Sequence, residues 1–381
     1  MNVRVEIKPQ LLRWACERAG YDPDTMSQRI PKFTAWMSGE VHPTLKQVEG
    51  FAKVTHAPIG YLFLQEPPIE NIPIPDLRTV GNIHIGNPSP DLLDTIYLCQ
   101  QRQEWYRDYA RSTNEKPLPF VGSTNTTVAV DVIAERIRNA IGFDLEERRQ
   151  IPTWTEALRK FIGQADDLGI LVMVNGVAGN NNRRKLDPEE FRGFALVDDL
   201  APLVFINGAD TKAAQMFTLA HELVHIWAGQ SGLSDVDPKS MPTQPTENWC
   251  NQVAAEILVP LEVLRNEYQP NANLQMELGR LARYFKVSTL VVLRRIFDAG
   301  NLTQEQFWRY YRGELNRLRS IPRGSGGNFY YTQAARVGKR FACALIVSTL
   351  EGQTLHRDAF RLLGFSKLAT FRDLGFNLGV I

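Results

Sequence analysis

The stretch His221-Glu222-Leu223-Val224-His225 decides how the rest of this sequence is interpreted. Two histidines that lie four positions apart on a helix project from the same face, one turn apart, so both imidazoles can reach one metal ion. Glu222 would lie beside the open position of that metal, where a carboxylate can take a proton from bound water. The pattern is typical of zinc-dependent peptidases and gives the three residues distinct roles.

The sequence on both sides predicts that this motif lies inside a helix. No Pro or Gly interrupts the run Lys212 to Ala228, Asp210 and Thr211 can cap its start, and Gly229 follows its end. Upstream, residues 194–197 and 203–207 indicate two short strands joined by a turn. Such a hairpin would support the metal helix and offer an edge to an extended peptide. The alternative, two ordinary partly buried histidines, is disfavoured by the adjacent glutamate.

A zinc ion needs a third protein ligand, which the helix predicted for residues 245–258 can supply. The longer pattern HExxHxxGxxH fails, because Ala228 and Ser231 stand where its glycine and third histidine should be. Glu247 and Glu256 are the candidates, and at about 100° per residue they point to opposite faces of the helix. We predict Glu247 as the ligand, and a structural hydrogen bond or solvation for Glu256.

The helix face that carries Glu247 supports that choice. Ala254 would let this helix approach the metal helix closely, and Asn251 could accept the outward N–H of a ligand histidine and orient its ring. Cys250 is an alternative, thiolate ligand. The remaining cysteines show no metal-binding spacing and are expected to be reduced, mostly buried thiols: Cys16, Cys99 and Cys343.

Two blocks of the sequence, Phe217 to His225 and Glu247 to Pro260, resemble the ImmA/IrrE family of metallopeptidases. The resemblance covers residues 155–300 and implies a site similar to that of thermolysin-type peptidases, with one zinc ion or manganese in its place. Carried over residue by residue, it implies three metal ligands, His221, His225 and Glu247, and the general base Glu222. Val224 departs from the family, which often has glycine there, and its branched side chain could narrow the cleft.

Composition and charge limit the remaining function classes. A length of 381 residues suggests two or three domains, and the net charge of +1 excludes a global basic field for nucleic acid. No apolar run approaches membrane-spanning length, and no signal-peptide core starts the chain. Four scattered cysteines fit a reducing compartment. We therefore expect a cytoplasmic protein that does not enter a membrane.

The expected fold class is α+β and mostly helical, in four regions. Residues 1–66 form a helical, helix-turn-helix-like domain, and residues 67–154 form a proline-containing linker and a helical region. Residues 155–300 form a zincin-like core with the HExxH helix and a small sheet, whose first strand is predicted at 168–174. Residues 301–381 form a C-terminal helical domain.

The sequence of the N-terminal region predicts five short helices. Its stretches 36–45 and 60–63 resemble an Xre-type helix-turn-helix domain, in which one helix enters the major groove. Residues 28–33 replace the usual longer turn and polar recognition helix. Two interpretations stay open, namely binding of operator DNA and a degenerate helical domain used for protein contacts or dimerisation. A second helix-turn-helix pattern, at 278–297, has an apolar second helix suited to packing.

The C-terminal region begins with a basic, glycine-rich loop at residues 319–327. It lacks the GxxxxGK[ST] pattern, so no nucleotide site is predicted. A helical stretch follows, and residues 350–363 are predicted to form an amphipathic helix pair. This tail, together with the N-terminal region, resembles a longer subgroup of the family, whose members look like antitoxins encoded beside a PIN-like nuclease toxin.

Two functions from different classes remain. As an enzyme, the chain would be a zinc-dependent endopeptidase-type regulator that cleaves or controls a specific partner protein and is coupled to transcriptional regulation. Its oxyanion donor stays open, with Tyr268, Arg183 and Arg184 as candidates. As a binding module, it would be an antitoxin and autorepressor that neutralises a PIN-like toxin by direct contact, with a regulatory or vestigial metal site. The expected partners are a protein substrate or toxin, operator DNA bound by residues 1–66, and a second copy of the chain.

Overall fold

The computed structural model describes residues 3–77, 88–234, 244–319 and 329–381, which belong to two units. One unit ends at Pro73 but also includes the first turns of a later helix, up to Ile96. The other contains residues 74–77 and everything described from Tyr97 onward. Within these ranges, helices dominate and the strands form one four-stranded mixed sheet, so the predicted α+β fold class is confirmed.

Short helical segments form the N-terminal part: α1 (Pro9–Arg18), α2 (Pro23–Arg29), α3 (Phe33–Met37), α4 (Leu45–Thr55) and a 3-10 helix (Ile59–Phe63). A reciprocal capping box between Thr44 and Gln47 sets the start of α4. The apolar faces of these helices meet in a core where Phe33 and Phe51 stack with ring centroids 5.7 Å apart. Helix α3 is short, with only five residues.

The rest of the chain continues with α5 (Pro90–Ser112), α6 (Val130–Ile141), α7 (Leu145–Gln150), α8 (Trp154–Leu168), β1 (Leu171–Asn175), β2 (Gly193–Leu196), β3 (Leu203–Asn207), α9 (Lys212–Ala228), β4 (Gly232–Leu233), α10 (Pro245–Leu258), α11 (Leu261–Glu267), α12 (Leu274–Phe285), α13 (Thr289–Asp298), α14 (Gln304–Arg319), α15 (Phe329–Val337), α16 (Lys339–Leu350), α17 (His356–Leu363) and α18 (Leu368–Leu378).

The sheet has the strand order β1-β3-β2-β4. Strand β3 pairs in parallel with β1 and antiparallel with β2, which confirms the predicted hairpin, and Phe205 of β3 lies opposite both Met173 and Phe194. All residues of β2 and β3 are buried, so both faces of the sheet are covered. The two residues of β4 pair antiparallel with β2. This strand is too short to leave a pattern in the sequence.

Helix α9 has the bounds that the sequence predicted. The Thr211 hydroxyl accepts the N–H of Ala214 at 3.2 Å, and Gly229 ends the helix with a φ of 70°, a conformation that glycine adopts at low cost. The helix contacts the sheet and helices α8 and α10, so its residues from Thr218 to Trp227 are buried on all sides. The motif's polar side chains are therefore held in the interior, where they need partners.

Helix α10 packs against α9 and α6. Three guanidinium groups donate to the carbonyls at its C-terminal end: Arg138 to Glu256 at 2.7 Å, Arg148 to Leu258, and Arg295 to Val259 at 2.9 Å. Cations at this end also complement the helix dipole. The helix is thus fixed at the end opposite Glu247.

Helices α12 and α13 lie at the predicted second helix-turn-helix pattern. Val292 and Leu293 are fully buried, which confirms that the apolar second helix packs against the rest of the unit.

The prediction of a helix pair at residues 350–363 is wrong in part. Leu350 ends α16, and Gly352 turns the chain with a φ of 75° before α17 begins. Residues 320–327 of the predicted basic loop lie outside the described residues. None of the described helices is long and apolar enough to span a membrane.

Candidate metal centre

Three side chains predicted as metal ligands converge between helices α9 and α10. The Nε2 atoms of His221 and His225 lie 3.0 Å apart. Glu247 places Oε2 3.3 Å from Nε2 of His221 and Oε1 3.1 Å from Nε2 of His225. All three residues are at most 1% exposed. One nitrogen from each ring and one carboxylate therefore face a common point.

The chemistry of these atoms fits a divalent cation. Two imidazoles and one carboxylate form the ligand set of thermolysin-type zinc sites. Neither oxygen of Glu247 completes a hydrogen bond of ordinary geometry with any described group, although both are buried. Buried acceptor atoms that point at one another are costly unless something positive lies between them. A zinc ion held by the three side chains would satisfy all of them.

The electrostatics of the ligands point the same way. Burial acts to raise the pKa of Glu247, but His221 and His225 outweigh it and lower that pKa to about 2, so the carboxylate stays ionised. Burial acts to lower the pKa of His225, but the neighbouring Cys250 and Glu247 raise it. In the absence of a metal, a proton on the histidine supplies the positive charge that the carboxylate requires. A divalent cation would replace that proton.

Glu222, the predicted general base, is fully buried beside the ligands. Its Oε2 accepts a hydrogen bond from the Ser234 hydroxyl at 3.2 Å, whereas Oε1 has no partner among the described groups. Burial raises the pKa of Glu222 to about 8, and the charge of Glu247 acts in the same direction. The result is a carboxylate with one oxygen fixed and the other free to exchange a proton near neutral pH.

Two residues of this site were missed by the sequence reasoning. Ser234 directly follows β4, a strand that the sequence did not reveal. Gly193 opens β2, and a Cβ there would lie 2.5 Å from Cγ2 of Thr218 and 3.2 Å from Oε1 of Glu222. A glycine at the start of a predicted strand can signal such a close approach. Here it leaves the space that the carboxylate of Glu222 occupies.

The role predicted for Asn251 is not seen in the structure. Its Oδ1 is buried and makes no hydrogen bond to any described residue, and the Nδ1 of His221 is equally without a partner there. The Nδ1 of His225 instead lies 4.0 Å from Sγ of Cys250. Cys250, one position earlier on α10, thus lies at the outer side of the His225 ring. Cys250 therefore contacts the ring atom that faces away from the common point, not the metal-facing nitrogen.

The other predicted residues have separate positions. Glu256 accepts the N–H of Leu261 at 3.2 Å and forms an ion pair with Arg295, so its structural role is confirmed. Tyr268, a candidate oxyanion donor, lies near Glu277 and Tyr310, which together with burial raise the pKa of its hydroxyl. No described contact joins Tyr268 to a metal ligand.

Comparisons with known proteins place a family domain on this site. Residues 165–297 match the model of a family described as the IrrE N-terminal-like domain, and residues 337–375 match a domain of unknown function (DUF8813). The first match includes the HExxH helix and Glu247. No curated protein and no solved structure gives a significant match. Residues 165–297 are therefore similar to the IrrE N-terminal-like domain of the ImmA/IrrE metallopeptidases, as the motifs indicated.

Proposed function

We propose that this protein is a zinc-dependent, endopeptidase-type regulator that cleaves or controls one specific partner protein. The observation that carries the proposal is a His-His-Glu ligand set together with a separate buried carboxylate, Glu222, beside it. A purely structural metal site does not require that further acidic group. The Xre-like stretches of residues 1–66 support the second part of the proposal, which is a coupling to transcriptional regulation through operator DNA.

Each side chain has a role in this reaction. Zinc held by His221, His225 and Glu247 would supply a Lewis acid that lowers the pKa of water and polarises a peptide carbonyl. Glu222 would accept a proton from the attacking water on its free Oε1 and then give it to the leaving amine. Ser234 holds Oε2 and so fixes the direction of Oε1. Burial raises the pKa of Glu222, and the positive charge of a bound zinc ion would act against that rise and leave the carboxylate ionised, ready to take up the proton.

The burial of the site supports a narrow specificity. Neither the two histidines nor Glu222 has any exposed surface. A peptide therefore reaches them only after some part of the chain has moved aside. One partner protein that provides the binding energy for this movement fits such a site better than a general digestive activity.

The test is the substitution Glu222→Gln, which keeps the size of the side chain but removes the base. Zinc-loaded wild type and variant are incubated with a native lysate from cells that lack this protein, and new N-termini are identified by mass spectrometry. We expect cleavage by the wild type alone, with a loss of about 10²- to 10⁴-fold in the variant and no change in zinc content or melting temperature. Equal cleavage by both proteins would overturn the proposal.

A second function is favoured by the same burial, because structural metal sites are closed to solvent. In this alternative the metal site is regulatory or vestigial, and the chain is an antitoxin and autorepressor that neutralises a PIN-like nuclease by direct binding. The Glu222→Gln protein would then protect cells from the toxin as well as the wild type does. Loss of protection with that single substitution would exclude direct sequestration and leave proteolysis as the mechanism.

A further inference from the structure

Strand β4 has a neighbour on each side, and one of them is the first segment of the second unit, residues 74–77. On one side, Leu233 lies opposite Phe194 of β2. On the other side, Leu233 donates its N–H to the carbonyl of Pro75 at 2.9 Å, and its carbonyl accepts the N–H of Leu77, also at 2.9 Å. Asp76 thus forms a parallel bridge with Leu233. Residues Ile74 to Leu77, here called the strap, complete the edge of the sheet.

Side-chain packing against β4 also holds the strap in place. A Cβ at Gly232 would lie 2.5 Å from Cδ1 and 2.7 Å from Cγ of Leu77, so this leucine rests directly on the backbone of β4. Ile74, at the start of the strap, is buried with 8% of its surface exposed. Glycine at position 232 is therefore required by the strap and not by the pairing with β2.

The strap lies next to the proposed catalytic group. Ser234, which holds Glu222 at 3.2 Å, follows directly on the residue that pairs with the strap. On the other side of β4, the start of β2 approaches the free oxygen of Glu222 at Gly193. Extended peptides commonly bind by adding a strand to a sheet edge, through backbone groups such as those of Leu233. The strap already forms hydrogen bonds with both the N–H and the carbonyl of Leu233.

We propose that the strap occupies the sheet edge on which an extended peptide substrate binds, and that it must leave this edge before cleavage. This inference rests on the proposed peptidase function. The strap directly follows the proline-containing linker from the N-terminal unit, which holds Pro67, Pro68 and Pro73. Because Pro75 has no N–H, it bonds to the edge through its carbonyl alone. Ligand binding to the N-terminal unit would thus be able to act on the site through the covalent linker.

The first measurement detects occupancy of the edge without any activity. A fluorescent peptide with the sequence of residues 67–77 is titrated into zinc-loaded full-length protein that carries Glu222→Gln, with and without Leu77→Gly. We expect the weakened strap to allow binding about tenfold tighter or more, because the peptide then no longer competes with an intramolecular segment. Gly232→Ala, whose Cβ would clash with the leucine of the peptide as well as with Leu77 of the strap, should abolish binding of this peptide. The exposed leucine in Leu355→Gly is the matched control and should change nothing.

The second measurement is the formation of new N-termini in the native lysate from cells that lack this protein, by proteins that retain Glu222. We expect Leu77→Gly to cleave about tenfold faster than wild type and the strap peptide to inhibit it. Equal peptide binding by wild type and Leu77→Gly would overturn the inference, and so would unchanged binding by Gly232→Ala. So would tighter binding without faster cleavage while the wild type itself cleaves. Tighter binding with no cleavage by any protein would overturn the peptidase function, yet it would support the strap as the occupant of this edge.

Discussion

Helix α10 buries a glutamate near each end, and the two differ in what faces their carboxylates. Glu247 is 1% exposed and faces the imidazoles of His221 and His225. The side chain of Glu256 is 12% exposed and is paired with the guanidinium of Arg295. The pair neutralises one carboxylate with a permanent cation, whereas the other has oxygens left for a metal. The difference teaches that the group facing a carboxylate, and not its burial alone, distinguishes a candidate metal ligand from a glutamate with a structural role.

The substitution Glu247→Gln tests the first half of this comparison and should have the largest effect. It keeps the size of the side chain but removes the charge that a zinc ligand needs. We expect zinc affinity to fall by more than about 100-fold, because even the loss of an outer partner of a ligand costs about 10- to 100-fold. Chelator competition measures it. Glu256→Gln, the matched control on the same helix, should retain the wild-type zinc content, and the reverse result would show that the assignment of helix faces is wrong.

The second half of the comparison predicts a loss of stability instead. Glu256→Gln leaves the Arg295 guanidinium, 5% exposed, without its carboxylate partner on α10. Breaking such a pair typically costs about 3 to 5 kcal/mol, and we expect a smaller loss here because Arg295 keeps Asp298 at 3.4 Å and Glu256 is partly exposed to solvent. Urea unfolding of the zinc-loaded proteins measures the change. Restoration by Arg295→Met in the double variant would confirm the cause, and an unchanged unfolding free energy would contradict it.

Asp166 is a third buried carboxylate, and burial is the largest influence on its pKa. Burial raises the pKa of Asp166 to about 7, against the opposing effects of the Val172 N–H and of Arg340. Because this value lies above the usual 3.8, the folded state binds the proton more tightly, so the stability from Asp166 is full below about pH 4 and is lost as the pH rises through about 7. We expect a loss of up to about 4 kcal/mol between pH 4 and 8, at roughly 1.4 kcal/mol per pKa unit.

The measurement compares urea unfolding of the wild type and Asp166→Asn at several pH values. The difference between the two proteins isolates Asp166 from all other titrating groups. Parallel curves would mean that its carboxyl is hydrated in the folded state and that its pKa is not raised.

The features that the sequence predicted are those set by local spacing. The bounds of α9 follow from Thr211 and Gly229, and the choice of Glu247 over Glu256 follows from helical geometry. The features that it missed depend on pairing between distant segments. Nothing near Leu77 indicates that it rests on Gly232, and the two residues of β4 show no alternation. The role of Asn251 stays a prediction, because a helix wheel gives a direction but not which side chain reaches an imidazole across the gap between two helices.

The smallest expected effect concerns the group that orients Glu222. Ser234→Ala removes the hydroxyl that donates to Oε2 at 3.2 Å, while the metal ligands stay intact. That hydrogen bond lowers the pKa of Glu222, so its loss should raise the pKa further. We expect kcat to fall about five- to tenfold, as one lost hydrogen bond is worth about 1 to 1.5 kcal/mol, and the pH profile to shift to higher pH.

Zinc content should not change in Ser234→Ala, and Ser234→Thr should restore part of kcat and the position of the pH profile. Ser231→Ala is the matched control, because the hydroxyl of Ser231 accepts the N–H of Val197 at 2.8 Å instead of contacting Glu222. Its effect should be confined to stability, with an unshifted pH profile. If both serine variants shift the profile equally, the effect comes from the loop around β4 and not from a bond to the general base. A shift in Ser234→Ala alone would assign Ser234 as the positioning residue of Glu222.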